Sequence, residues 1–211
     1  RSIPVEINDA DKFIGQMVPM TYLCADRAAP ADISPMDSGP KVILEVGTRG
    51  EYTAQVLALR DREKIREALR NPQTQAQGGL LTLGKQAELW MQDLVPGIQF
   101  RAETFPGTNA AALRLRRRDS TDEFLRPTNM AFGVTSALPV IVGGLLAPVD
   151  SLFIVDSPES HLHPSAQSKM GRFLATVAAS GVQVIVETHS DHILNGIRLA
   201  AIDGPIIAHD K

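Results

Sequence analysis

Residues 151–164 read SLFIVDSPESHLHP, and this stretch contains the pattern that decides the fold. An apolar run, 152–155, ends in Asp156, and Glu159 follows three residues later. An apolar run without alternation predicts a strand of a parallel sheet that is covered on both faces. Ligands of such sheets bind beyond the carboxyl ends of the strands, so Asp156 and Glu159 are candidate site residues.

The next apolar run, residues 182–186, predicts a second strand, and the six residues after it read ETHSDH. The spacing of apolar residues predicts helices over 135–147, 165–179 and 191–201, and a third strand is predicted over 205–208. Strands that alternate with helices indicate an α/β domain with a parallel sheet. We therefore expect the two acidic strand ends, at Asp156 and Glu187, to lie side by side at one edge of the sheet.

These residues are compatible with more than one kind of site. A carboxylate such as Asp156 could hold a Mg2+ ion that bridges nucleotide phosphates, with a histidine near the γ-phosphate. Alternatively, four histidines could form a metal site with the carboxylates, as in a metal-dependent hydrolase; they are His161, His163, His189 and His192. In a third interpretation there is no site, because Ser190 caps the following helix and the histidines pack locally.

Residues 1–130 predict an irregular α+β portion, and residues 131–211 predict the core portion of the fold. Within the first portion, helices are predicted over 55–69 and 86–94, and a hairpin of two strands over 98–103 and 112–117. The hairpin is basic; its arginines are Arg114, Arg116, Arg117 and Arg118. We favour a charged edge strand that resists pairing with other sheets over a contact with the DNA backbone, which has weaker support.

The composition is that of an ordinary globular domain. Of the 211 residues, 44% are hydrophobic and 21% are charged, and the net charge is -3, which excludes a disordered tail and a chain drawn to nucleic acid by its overall charge. Cys24 is the one cysteine, so an internal disulfide is impossible and a reducing, cytoplasmic setting is predicted. The longest apolar run, 137–149, is too short for a membrane span of roughly 20 residues. Because the chain begins with Arg1 rather than Met and a strand is predicted so close to Lys211, we expect a fragment cut at both ends.

Five segments carry a resemblance to a known family. Residues 151–167, SLFIVDSPESHLHPSAQ, resemble the Walker B and D-loop region of ABC-like, AAA-type ATPases, especially those akin to the overcoming-lysogenisation-defect (OLD) proteins and the RecF/SMC-like ATPases. Residues 184–200, VIVETHSDHILNGIRLA, resemble the strand and helix around the switch histidine of that family. Residues 128–147, TNMAFGVTSALPVIVGGLLA, resemble its signature-like segment, and residues 21–30 and 47–58 resemble segments that lie upstream.

The resemblance implies a P-loop ATPase fold, with ATP and Mg2+ as cofactors. Asp156 matches the acid that coordinates Mg2+, and His189 matches the switch histidine that touches the γ-phosphate or the attacking water. Many ABC-like ATPases have a catalytic glutamate at the next position, where this chain has Ser157. Glu159 is therefore the remaining acid expected to polarise the water.

The resemblance also implies a homodimer that closes head to tail around Mg-ATP. Gly133 and Ser136 open the signature-like helix, whose free N–H groups would bind the nucleotide of the partner subunit. His163 lies in the D-loop-like turn, where protomers of this family meet. We therefore expect Ser136 and His163 on an exposed face near the rim of the Asp156 cleft.

No segment of the chain reads G-x-x-x-x-G-K-[ST], the loop that cradles nucleotide phosphates. We expect that loop upstream of Arg1 in the intact protein, and little ATP binding by this chain alone. The function implied by the resemblance is ATP hydrolysis that drives a partner or a fused effector, such as a nuclease, in DNA repair or phage defence. The alternative is a nucleotide-gated scaffold that hydrolyses ATP very slowly, because Ser157 replaces a glutamate.

Overall fold

A computed structural model describes residues 18–36, 45–77, 80–117, 124–129 and 132–203. Its strands, in chain order, are β1 (Met20–Leu23), β2 (Ser34–Pro35), β3 (Ile98–Thr104), β4 (Ala110–Arg117), β5 (Leu152–Asp156) and β6 (Gln183–Glu187). Its helices are α1 (Thr53–Arg60), α2 (Leu83–Leu94), α3 (Phe132–Leu146), α4 (Pro164–Ala179) and α5 (Asp191–Asp203). The strand predicted over 205–208 and Arg118 lie outside the described residues, and within the described ranges no helix is long and apolar enough to cross a membrane.

The fold is mixed α/β, as predicted, and its core is a parallel sheet with the strand order β1-β5-β6. The adjacent, parallel arrangement of β5 and β6 is confirmed, and their register places Asp156 directly beside Glu187. β1 pairs with the other side of β5, with Leu23 beside Val155. One of the three strands of this sheet, β1, therefore comes from residues 1–130, the part that the sequence analysis separates from the core portion, 131–211.

One face of the parallel sheet packs on helices α3 and α4. Phe153 and Val155 of β5 are buried on this face, and Phe153 packs closely against Gly143 of α3. Side chains alternate along a strand, so the opposite face carries Tyr22 and Ile185, which are 39% and 47% exposed. The prediction of a sheet covered on both faces is therefore wrong for the described part of the chain.

The second sheet is antiparallel, with the order β2-β4-β3, and confirms the predicted hairpin. Its register pairs Arg101 with Arg114 across the two long strands. The guanidinium groups of Arg114 and Arg116 contact other parts of the protein. Arg114 donates to the carbonyl of Asp32 at 3.1 Å, and Arg116 stacks on the ring of Phe124, 4.5 Å from its centroid. These contacts agree with a structural role for the basic hairpin, but β4 lies between β2 and β3, so the expectation that its arginines mark an edge strand is wrong.

Helix α1 is shorter than the sequence predicts, because it ends at Arg60 rather than continuing to residue 69. Beyond it the chain runs extended beside residues 81–82, where the N–H of Ile65 donates to the carbonyl of Leu81 at 2.8 Å. A 3-10 turn, Glu67–Leu69, follows. Ile65 and Leu69 are both buried, so the apolar spacing that predicts a helix here is satisfied by a different backbone.

The guanidinium of Arg66 binds the ends of two helices, α3 and α4. Arg66 donates to the carbonyl of Ala147, just after α3, at 2.7 Å and to the carbonyl of Ser180, just after α4, at 2.6 Å. The last carbonyls of a helix have no partner within the helix, so each of these bonds satisfies a group that the fold would otherwise leave unpaired. The segment after α1 is thereby fixed to the helices that carry the parallel sheet.

Candidate functional site

Asp156, at the carboxyl end of β5, has its carboxylate held at both oxygens. Oδ2 accepts a hydrogen bond from the N–H of Ala25 at 3.2 Å, and Oδ1 accepts one from the hydroxyl of Ser157 at 2.9 Å. The carbonyl of Asp156 accepts a third bond, from Nη2 of Arg27, at 2.9 Å. Ala25 and Arg27 lie in the loop after β1, which reaches Asp156 because β1 and β5 are parallel neighbours. The acid therefore has a fixed direction at the edge of the sheet.

Glu187 ends β6 and shares a hydrogen bond with Asp156. This bond is the main cause that lowers the pKa of Asp156, and the same bond is the main cause that raises the pKa of Glu187. Two carboxylates in contact resist double ionisation, so Asp156 loses its proton at lower pH than Glu187 does. On its other side Glu187 Oε1 lies 3.4 Å from Nε2 of His189.

Glu159 connects the turn after β5 to the loop after β6. Its Oε2 accepts from the hydroxyl of Thr188 at 2.6 Å, and its Oε1 accepts from the N–H of His189 at 3.0 Å. The turn reaches this position through left-handed backbone at Ser157 and His161, with φ of 48° and 61°. Both oxygens of Glu159 thus take part in fixing the loop that carries His189.

The imidazole of His189 is 89% exposed, so it is not buried against apolar side chains. The structure brings together Asp156, Glu159, Glu187 and His189 along one open edge of the parallel sheet. Such an edge offers oxygen ligands for a hard divalent cation and one imidazole directed to solvent.

The remaining histidines make separate local contacts. The ring of His161 packs edge-on against Phe132, with centroids 4.4 Å apart, and Nδ1 of His163 accepts from the N–H of Ser165 at 3.4 Å at the start of α4. Within the described ranges no group of three or more His, Cys, Asp or Glu side chains is arranged to hold a metal ion. The site predicted for a metal-dependent hydrolase is therefore not assembled there.

The expectation of an exposed Ser136 is wrong, because its side chain is only 6% exposed. Helix α3 begins earlier than predicted, at Phe132, and Gly133 packs so closely that an added Cβ would lie 2.5 Å from the carbonyl of His161. Gly133 and Ser136 are both buried in this first part of α3. In the first turn, Phe132 is exposed and Thr135 is half-buried, while His163 is exposed as expected.

Sequence reasoning missed Arg27 and Ala25 as neighbours of Asp156. Ala25 and Asp156 are 131 positions apart, and only the pairing of β1 with β5 brings them together. The segment 21–30 was already part of the family resemblance, but no residue type in it marks a contact with the acid.

Comparisons with known proteins bear on this site. The family model described as "AAA domain, putative AbiEii toxin, Type IV TA system" matches residues 34–195. Among curated proteins, the Old nuclease of Escherichia phage P2 is 44% identical over 46 residues, which make up 22% of this chain and 8% of that protein. The chain thus matches only a small part of the length of this relative.

Two solved structures show weaker similarity. The Smc head domain with an extended coiled coil bound to the C-terminal domain of ScpA, from Pyrococcus furiosus, is 16% identical with a TM-score of 0.43, covering 54% of this chain and 29% of that one. A structure from work on the ATP-driven dimerization and DNA-stimulated activation of SMC ATPases is 15% identical with a TM-score of 0.43, covering 54% of this chain and 71% of that one.

The match to the family model extends over most of the chain and includes β5, β6 and the acidic edge between them. On the extent of that match, the chain belongs to the family of AAA domains described as putative AbiEii toxin, Type IV TA system.

Proposed function

We propose that this chain is the Mg2+-binding and phosphate-sensing part of an ATPase. The observation that supports the proposal is the meeting of Asp156, Glu187 and the loop of His189 at the carboxyl edge of the parallel sheet. In a member of an AAA-domain family, this edge is where nucleotide phosphates are expected. Cytoplasmic location is part of the proposal and is in line with the single cysteine, Cys24.

Asp156 is the residue that would hold Mg2+. Its lowered pKa keeps it ionised near neutral pH, and its two carboxylate oxygens are of the type that Mg2+ prefers. Mg2+, when bound with ATP, would neutralise charge on the transferring phosphoryl group. The hydrogen bonds from Ala25 and Ser157 orient the carboxylate before the ion arrives.

His189 would contact the γ-phosphate, and Glu159 would act chiefly through it. Because Glu159 accepts hydrogen bonds from Thr188 and from the N–H of His189, its carboxylate holds the histidine loop in place. Direct polarisation of water by Glu159, expected from the sequence, remains the competing role. The two roles make different predictions for a variant of Thr188.

The ATPase test uses the full-length protein that contains this chain. We expect Mg2+-dependent ATP hydrolysis, with a loss of at least about 100-fold for Asp156→Asn, since a group that stabilises transferring charge is removed. Asp150→Asn, in an exposed turn before β5, is the control and should hydrolyse ATP at the parent rate. Equal rates for the two variants would contradict the assignment of Asp156.

A nucleotide-gated scaffold is the second candidate, and the position of Ser157 favours it. The hydroxyl of Ser157 donates to Asp156, so this residue supports the acid and supplies no base of its own. In that case the full-length protein would bind Mg-ATP and dimerise but turn over very slowly. Single-turnover kinetics beside equilibrium binding of ATP separate the two candidates.

Assembly belongs to the same proposal. Two copies would close head to tail around Mg-ATP, and ATP hydrolysis would drive an effector, such as a nuclease or toxin activity. At the start of α3, Phe132 is exposed and Thr135 is half-buried, His163 before α4 is exposed, and Ser136 is buried, so we assign the contact with the partner subunit to the first three. We expect Thr135→Arg to block ATP-dependent dimerisation in sedimentation, whereas Val149→Arg, at an exposed position elsewhere, should leave it intact. Dimerisation of Thr135→Arg like the parent would remove this surface from the proposal.

A further inference from the structure

Arg27 is a charged residue in a place where burial is costly. Its relative exposure is 5%, and burial is the main cause that lowers the pKa of its guanidinium. Nη2 donates to the carbonyl of Asp156, but Nε and Nη1 are buried and have no hydrogen-bond partner in the structure. Burying a guanidinium costs desolvation free energy, and an apolar residue of similar size would pack here with a smaller desolvation penalty. The arginine at this position therefore calls for a functional explanation.

The loop that contains Arg27 contacts both the main chain and the side chain of Asp156. Arg27 binds its carbonyl, and the N–H of Ala25, two residues earlier, binds its carboxylate. The N–H of Arg27 in turn donates to the carbonyl of Ala25 at 2.9 Å, which closes a tight turn. The same short turn therefore supplies both the guanidinium that binds the carbonyl of Asp156 and the N–H that binds its carboxylate.

The outer side of this loop is fixed by the segment at 47–51. The N–H groups of Cys24 and Ala28 donate to the carbonyls of Thr48 and Arg49 at 2.9 and 2.7 Å. The side chain of Arg49 adds an ion pair to Asp26 at 2.9 Å. The loop after β1 is thus held at both ends, and Arg27 is its direct side-chain contact with the candidate site.

We propose that Arg27 is a positioning residue that fixes the direction of the Asp156 carboxylate for Mg2+. The proposal rests on the proposed function of the site and adds the residue that prepares it. Residues that orient metal ligands typically contribute about 10–100-fold to metal affinity. Loss of the guanidinium would leave the Asp156 carbonyl without this partner, so the end of β5 would be less fixed and the direction of the carboxylate less defined.

The test compares Arg27→Gln and Arg27→Lys in the full-length protein with Arg66→Gln as a matched control. Arg66 also binds main-chain carbonyls, but they belong to the distant ends of two helices. For Arg27→Gln we expect the Mg2+ concentration at half-maximal turnover to rise by about tenfold or more, with a smaller rise for Arg27→Lys. Arg66→Gln should lower the melting temperature and leave the Mg2+ requirement unchanged.

A second measurement does not depend on turnover. Mg2+ titrated in the presence of a non-hydrolysable ATP analogue should raise the melting temperature of the parent, and the midpoint of this rise should shift to higher Mg2+ in Arg27→Gln. Midpoints equal to those of Arg66→Gln in both assays would overturn the positioning role. A parent protein that shows no Mg2+ response in either assay would instead refute the proposed function itself. If Arg27→Gln does not fold, Arg27→Lys gives the same comparison.

Discussion

Asp156 and Glu187 face each other in the register of two parallel strands, and their carboxyl groups share a hydrogen bond. This contact lowers the pKa of Asp156 and raises the pKa of Glu187, so Glu187 is the acid of the pair that takes up a proton first as pH falls. A divalent cation at Asp156 would compete with that proton, since metal ligands must be deprotonated. The acid pair thus links cation binding to pH.

The first prediction concerns this link. As pH rises through the raised pKa of Glu187, its proton is lost, so the affinity of the parent protein for Mg2+ should increase with pH over the acid range. Glu187→Gln carries no such proton and should show a flatter dependence. Mg2+-induced shifts of the melting temperature, measured with an ATP analogue from pH 5 to pH 8, test this. Parallel curves for the two proteins would contradict it.

The second prediction separates the two roles of Glu159. If Glu159 holds the histidine loop, then Thr188→Val, which removes the hydroxyl that Glu159 accepts from, should reduce turnover by a similar factor to Glu159→Gln. We expect each to lower kcat by about tenfold and the double variant to lose little more, because contacting residues are not additive. A large effect of Glu159→Gln beside a parent-like Thr188→Val would instead identify Glu159 as the base.

The third prediction concerns acid stability. Asp32 accepts hydrogen bonds from Thr128 and Arg126, and the bond from Thr128 is the main cause that lowers its pKa. A lowered pKa in the folded state contributes stability above the ordinary pKa of aspartate, and this stability is lost as pH falls through the lowered value. Asp32→Asn should therefore be less stable than the parent at pH 7, with the difference shrinking toward pH 2. Urea unfolding at both pH values measures it, and Asp150→Asn should show no such trend.

The fourth prediction concerns Arg66, whose two bonds join the ends of α3 and α4. Arg66→Gln should lower the free energy of unfolding by about 2 kcal/mol, since charged donors are removed from two main-chain carbonyls at helix ends. Arg62→Gln, four residues earlier and exposed, is the matched control and should stay within about 0.5 kcal/mol of the parent. Equal stabilities of the two variants in denaturant unfolding would show that water replaces the guanidinium.

The parallel strands and their acidic ends could be predicted because their signal is local. Each strand is a short apolar run followed at once by an acid, and the rule that parallel strands align their carboxyl ends places Asp156 beside Glu187. Orientation around a helix is harder to predict. Ser136 lies on the buried side of α3, and the apolar residues around it in the sequence do not show which side of the helix faces the core.

Contacts that join distant segments could not be predicted from the chain alone. Arg27 is 129 positions from Asp156, and no pattern in the sequence between them predicts their hydrogen bond. The end of α1 at Arg60 has a similar cause. The buried positions of Ile65 and Leu69 fit a helical spacing, but pairing of Ile65 with Leu81 determines the backbone there.

The position of β1 in the sheet has a consequence for how the chain is made. During synthesis β1 emerges well before β5, the strand it pairs with, because more than a hundred residues separate them. Contacts between such distant segments form slowly, since a long loop must close first. Until β5 is complete, Leu23, which is buried in the folded protein, has no neighbouring strand to pack beside, and an unpaired segment of this kind is prone to pairing with other chains. Ribosome-bound chains that stop before residue 151 should therefore depend on chaperones to remain unaggregated.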